Sequence, residues 1–153
     1  MFSRLISFYG SKPALISKHQ LKIKPILTQQ RFWLSSNTFE SVSDETLESL
    51  CEHIEELIDK NPKLAEADVC LANGVLTLSL PKPYGTYVIN KQSPNKQIWL
   101  SSPKSGPMRY DLQDESWIYK HTNESLHSLL EREIGQDLLK MSDAGFMNCY
   151  FAK

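Results

Sequence analysis

Glu40, Asp44, Glu48 and Glu52 recur at four-residue spacing, and Glu55, Glu56 and Asp59 continue the series, with Glu45 beside it. Four residues is about one helical turn, so on a helix these carboxylates share one ridge. Glu66 and Asp68 carry the acidic run beyond it. Neighbouring like charges on a helix cost about 0.2–0.5 kcal/mol per pair, and nearby in sequence only Lys60 and Lys63 relieve them. Such a run is either a solvated face or a cation site. Carboxylate oxygens suit hard ions such as Fe3+, and also Fe2+, Mn2+ or Ca2+. Without histidine or cysteine ligands closing a cage, binding there would be weak and unselective.

A second constellation is mostly uncharged. In "KQIWLSS", Ile98 and Leu100 share one strand parity, while Gln97, Trp99 and Ser101 share the other. Asn90, Val88, Arg109 and Asp111 fall on the same outward parity as Trp99. A tryptophan and an arginine among amides have the composition of a binding hot spot. The bland alternative is Trp99 folded flat over its neighbours. Other chemistry is not visible. There is no H-E-x-x-H, G-x-G-x-x-G, P-loop or G-x-S-x-G pattern, and no serine–histidine–aspartate arrangement suggests itself. His53 reads as a packing residue at the helix boundary more readily than as a ligand. His121 and His127 flank the start of a second helix. Cys51, Cys70 and Cys149 stand far apart with no C-x-x-C, which speaks against a disulfide framework or a structural zinc site.

The elements that must carry these groups follow from periodicity. Phe39, Val42, Leu47, Leu50, Cys51, Ile54, Leu57 and Ile58 recur at three- and four-residue steps. They predict a helix over roughly 39–60, with Thr38 as cap and Asn61-Pro62 as terminator. Asn73-Gly74 between "DVCLA" and "VLTLSL" predicts a two-residue hairpin turn. That turn sets Leu71 opposite Leu76 and Val69 opposite Leu78. The runs "TYVIN", "KQIWLS", "MRYDL" and "WIYK" follow, with connections too short for crossovers, so consecutive strands pair antiparallel. A second helix is expected from Asn123 or Glu124 to Lys140, and the apolar end "GFMNCYFAK" should fold back onto the helices. The fold class is α+β: a two-layer sandwich, two terminal helices packed on one face of a roughly six-stranded antiparallel sheet. The other sheet face is left to solvent.

Residues 1–39 contain no acid, six of the 17 lysines and arginines, and many hydroxyls. Basic, hydroxyl-rich and acid-free is the pattern of an organelle transit peptide, here expected over residues 1–35 with the folded domain over 36–153. Without that segment the chain carries a net charge of -7. That disfavours a nucleic-acid partner, whose phosphates need basic surface, and favours cations or a basic protein surface. No apolar run approaches the ~18 residues of a membrane span.

The block "LANGVLTLSLPKPYGTYVINKQSPNKQIWLSSPKSGPMRYDL" resembles the central block of the frataxin family. With the preceding acidic helix and the following "WIYKHTNESLHSLL", the resemblance covers about residues 38–140. It implies two helices on an antiparallel sheet, a mitochondrial matrix location and a role in iron–sulfur cluster biogenesis. It also implies weakly bound iron, Fe2+ or Fe3+, at Glu40, Asp44, Glu45, Glu52, Glu55, Glu56, Asp59, Glu66 and Asp68. The sheet surface that docks on the cysteine desulfurase and iron–sulfur scaffold, and speeds sulfur transfer, would match Asn90, Lys91, Gln92, Asn95, Lys96, Gln97, Trp99 and Arg109. No nucleic acid and no membrane is expected as partner, and the chain is expected to be a monomer capable of iron-driven oligomerisation. The alternative is a ferroxidase or iron-storage protein that oxidises Fe2+ to Fe3+ as an oligomer. It ranks second because the paired E-x-x-H pattern of di-iron bundles is missing. The resemblance does not reach "GFMNCYFAK".

Overall fold

A computed structural model describes residues 36–152. The transit-peptide reading of residues 1–35 lies outside the described residues. Helix α1 runs Ser36–Lys60. It buries Phe39, Val42, Leu47, Leu50, Cys51, Ile54 and Leu57, the apolar stripe read from the sequence. Thr38 lies inside the helix rather than at its cap, because the helical backbone reaches back to Ser36. Two hydroxyls join the stripe: Ser43 and Thr46 are fully buried and donate to the Phe39 and Val42 carbonyls one turn back, each at 2.7 Å. Asn61 ends the helix by donating its side-chain amide to the Leu57 carbonyl.

Seven strands follow: β1 Asp68–Ala72, β2 Val75–Ser79, β3 Thr86–Gln92, β4 Gln97–Ser102, β5 Gly106–Gln113, β6 Ser116–Tyr119 and β7 Glu124–Ser125. They form one antiparallel sheet in chain order. The Asn73-Gly74 turn sets the expected register, Leu71 opposite Leu76 and Val69 opposite Leu78. Both turn residues have positive φ (52° and 73°), as a type I′ turn requires.

The seventh strand occupies residues expected to begin the second helix. Ser125 is extended there, and its Oγ accepts from the Ser128 N–H at 3.1 Å, so it is the helix N-cap. The α-helix α2 spans Leu126–Leu130 and continues as a π-helix over Glu131–Leu139. Lys140 then closes it in the left-handed conformation.

Leu76, Leu78, Tyr87, Ile89, Ile98, Leu100, Met108, Tyr110 and Trp117 are buried from the sheet side. They meet the α1 stripe and Leu126, Leu129, Leu130 and Ile134 of α2 in one core. The C-terminal segment folds back, as its composition suggested. Phe146 is fully buried, Ala152 bridges Ser116, and the Tyr150 N–H donates to Ser49 Oγ on α1. Its main anchor is Glu131, a buried residue whose two carboxylate oxygens accept from the Ala144 and Phe146 N–H groups at 2.5 and 3.1 Å. Gly135 makes room for this arrangement: a Cβ there would lie 2.7 Å from both Glu131 Oε1 and Ala144 Cβ.

Candidate functional site

Helix α1 presents the acidic ridge opposite its buried stripe. Glu45, Glu48, Glu52, Glu55, Glu56 and Asp59 are exposed, as are Glu66 beyond it and Asp68 on β1. Their surroundings differ. Lys91 Nζ lies 2.7 Å from Glu40 and 2.7 Å from Asp44. The hydrogen bond from Lys91, with a second from Ser93, holds the Glu40 carboxyl below the usual range. Burial pulls the Lys91 ammonium down, yet the two carboxylates outweigh it and its pKa rises. Glu45 accepts from Ser41 Oγ at 2.8 Å, and its bond to the Tyr150 hydroxyl raises that phenol's pKa. Glu56 is lowered by its ion pair with Lys60 one turn away.

Lys63, expected to relieve the ridge, instead reaches the Leu139 carbonyl. Its place is taken by Lys91 from β3, which the resemblance matched to the docking surface. Register places its side chain on the other side of the sheet. Lys91 pairs with Ile98, whose side chain enters the core, so it leaves the sheet on the helix side. The middle and end of the ridge, Glu48, Glu52, Glu55 and Asp59, have no ion pair among the described residues. Nor do any three His, Cys, Asp or Glu side chains among the described residues converge as a metal cage would. The ridge can offer hard oxygen ligands singly or in pairs along its length, with open positions left to water.

The face of the sheet away from the helices carries the other constellation. Asn90, Trp99 and Arg109 lie side by side across β3, β4 and β5. The next row is Gln92, Gln97 and Asp111. Asn95 and Lys96 sit in the exposed β3–β4 turn, Lys96 with φ of 51°. The residues expected to form one docking surface therefore separate: Asn90, Gln92, Gln97, Trp99 and Arg109 on the open face, Asn95 and Lys96 at its end, and Lys91 on the opposite side.

Trp99 points outward as its parity requires, but it is half-buried. The Arg109 guanidinium lies over the ring, 4.4 Å from its centre, a cation–π contact. The indole N–H donates to Gln97 Oε1 at 3.0 Å. Gln97 Nε2 donates to Asp111 Oδ1 at 3.1 Å, and Lys120 Nζ lies 3.0 Å from Asp111 Oδ2. Shallow depressions flank Arg109, one lined by Asn90, Trp99 and Ser101 and the other by Tyr119, Lys120 and His121. This is a polar, aromatic-centred surface whose hydrogen-bonding groups are already oriented.

Among the described residues the histidines do not join the ridge. His53 Nε2 donates to the Ala144 carbonyl at 2.9 Å and its ring meets Phe146 edge-on. The His121 ring lies tilted against Tyr119, 5.1 Å between centroids. His127 is fully buried, and neither ring nitrogen has a hydrogen-bond partner among the described residues. Sequence reasoning missed Glu133 altogether. It is buried and accepts from Tyr87 at 3.0 Å and from Ser102 at 2.6 Å, with Ser105 also donating. It thus ties the continuation of α2 to β3 and to the β4–β5 connection on the helix side of the sheet. The one available signal was a charge within an otherwise apolar helical stripe.

A family model described as a frataxin-like domain matches residues 32–140. The mitochondrial frataxin homolog of Drosophila melanogaster is 48% identical over 118 residues, which are 74% of this chain and 62% of that protein. The chain thus spans less than two thirds of the fly relative. The mitochondrial frataxin of Caenorhabditis elegans is 55% identical over 100 residues, 65% of this chain and 74% of that one. Among solved structures, trimeric frataxin from Saccharomyces cerevisiae, complexed with ferrous iron, superposes with a TM-score of 0.58 at 42% identity. That alignment covers 64% of this chain and 86% of the yeast chain.

Proposed function

The chain belongs to the frataxin family, and from that premise we propose that it is a mitochondrial matrix protein of iron–sulfur cluster assembly. In this reading it docks through the open sheet face on a cysteine desulfurase–scaffold complex, stimulates sulfur transfer, and presents Fe2+ from the ridge of α1. Residues 1–35 serve as the transit peptide. The observation that carries the docking reading is Trp99: a large aromatic under Arg109, on the sheet face that no helix among the described residues covers. Its ring and the amides of Asn90 and Gln97 offer the anchors and hydrogen bonds of an interface centre.

Mechanistically, the protein contributes surface and charge rather than a nucleophile. Arg109 can fork onto a partner carboxylate while stacked on the indole. Iron is cargo here. The ridge holds it through exposed oxygens, so exchange to a better ligand set is fast and affinity is low. Glu48, Glu52, Glu55 and Asp59 are the freest donors. Glu40 and Asp44 must first give up Lys91. A second reading, iron handling by an assembly of several copies, draws support from the trimeric, ferrous-complexed yeast relative.

The test pairs two measurements on the wild type and Trp99→Ala. Affinity for the purified desulfurase–scaffold complex should fall about 30-fold, ~2 kcal/mol. Anaerobic Fe2+ titration followed by NMR should broaden α1 ridge resonances equally in both proteins. Unchanged affinity and unchanged sulfur transfer would remove the docking face from the proposal. Broadening confined to His121 and His127 would remove the ridge.

A further inference from the structure

We propose that Asp111 is a positioning residue for the docking face: through Gln97 it holds the ring of Trp99 in the orientation that meets the partner. This rests on the docking reading of that face. The four groups form a directed chain. Lys120 donates to Asp111, Asp111 accepts from Gln97, and Gln97 accepts from the Trp99 indole N–H, with each separation between 3.0 and 3.1 Å.

Direction is what makes the chain specific. Gln97 has one acceptor and one donor end, and both are committed: Oε1 to the indole, Nε2 to the carboxylate. Turning the amide over would set two donors against each other at Trp99 and two acceptors at Asp111. An ionised aspartate accepts at both oxygens, so it can take Gln97 on one and Lys120 on the other. The indole is thereby held by its edge through Gln97 and by its face through Arg109. Asp111 is also an anion in a surface whose other charged neighbours, Arg109 and Lys120, are cations. Both of its oxygens are engaged in these contacts, which marks it as support rather than as a partner contact. Freezing a side chain on binding costs conformational entropy, and orienting it beforehand reduces that cost.

The experiment uses the full chain and four variants: Asp111→Ala, Asp111→Asn, Trp99→Ala and the double variant Asp111→Ala/Trp99→Ala. Two readouts are taken, the Trp99 indole N–H resonance in the free protein and affinity for the desulfurase–scaffold complex. Asp111→Ala should move the indole resonance, speed its exchange with water and weaken binding about tenfold. Asp111→Asn, which keeps an acceptor for Gln97 but loses the Lys120 pair, should lose less than about threefold. On the Trp99→Ala background, Asp111→Ala should change affinity by less than about twofold, the non-additivity expected of a residue acting through another. An indole resonance unmoved in Asp111→Ala overturns the positioning role. So does a tenfold loss that persists without Trp99, because Asp111 would then be touching the partner itself. If Trp99→Ala binds as wild type, the docking reading fails and this proposal fails with it.

Discussion

Trp117 and Trp99 lie on opposite faces of the same sheet, and each indole N–H is satisfied at 3.0 Å. Trp117 donates to Thr46 on α1, meets Phe39 edge-on at 6.1 Å and has no exposed surface. Trp99 donates to Gln97 within its own strand and has the guanidinium of Arg109 over its ring. The hydrogen bond is therefore not what separates a core tryptophan from a surface one. The difference is what closes over the ring. A helix packed into the core through its whole apolar stripe keeps water off the ring, whereas a guanidinium can move aside. The hydrophobic free energy of Trp117 is already spent in folding, and much of that of Trp99 remains available to a partner.

The largest effect should come from breaking this pair asymmetrically. Trp117→Ala is expected to lower stability by about 3–5 kcal/mol, as large-to-small core changes do. Trp99→Ala should lower it by less than about 1 kcal/mol. Urea unfolding of the two variants decides, and the reverse order would mean that the outer face is structural.

The helix side should also be acid-sensitive. Burial lowers the His127 pKa from 6.5 to about 4. A depressed folded-state value means that the unfolded chain binds the proton more readily. The contribution of His127 is therefore complete above pH 6.5 and is lost as pH falls toward 4, by about 3 kcal/mol over the window. Stability measured from pH 7 to pH 4 should show this slope. His127→Leu should flatten it at little cost near pH 7, because the ring forgoes no hydrogen bond among the described residues. An unchanged slope in that variant would place the acid sensitivity elsewhere.

The smallest effect belongs to the ridge. Glu52 lies one turn from both Glu48 and Glu56 and has no ion pair among the described residues. Glu52→Lys should raise stability by a few tenths of a kcal/mol through relief of like-charge repulsion. Iron broadening should weaken without disappearing, since neighbouring carboxylates remain. A loss of stability on charge reversal would show that Glu52 makes a contact in the fold, and would sharpen the contrast between ridge and core.

Much of this was legible in the chain. Three- and four-residue steps from Phe39 to Leu57 placed the α1 core face, and with it the opposite acidic ridge. Asn73-Gly74 set the first hairpin register, because a two-residue turn leaves no freedom in the pairing. Strand parity alone turns Trp99 outward. These features are local: helical and strand periods follow from backbone geometry over a few residues. The short β7, by contrast, hides within a stretch that reads as helix, because two residues cannot display a period.

Partnerships between distant elements depended on the tertiary structure. Lys91 pairs with Asp44 across 47 positions of sequence, and Trp117 bonds Thr46 across 71. Glu131 clasps a tail whose composition announced only that it would be covered. Parity and period assign a side chain to a face. They do not say how far it reaches or which opposite charge arrives there. Those outcomes depend on the separation of the two layers and on the path of the returning chain, and that geometry exists only once the core has closed.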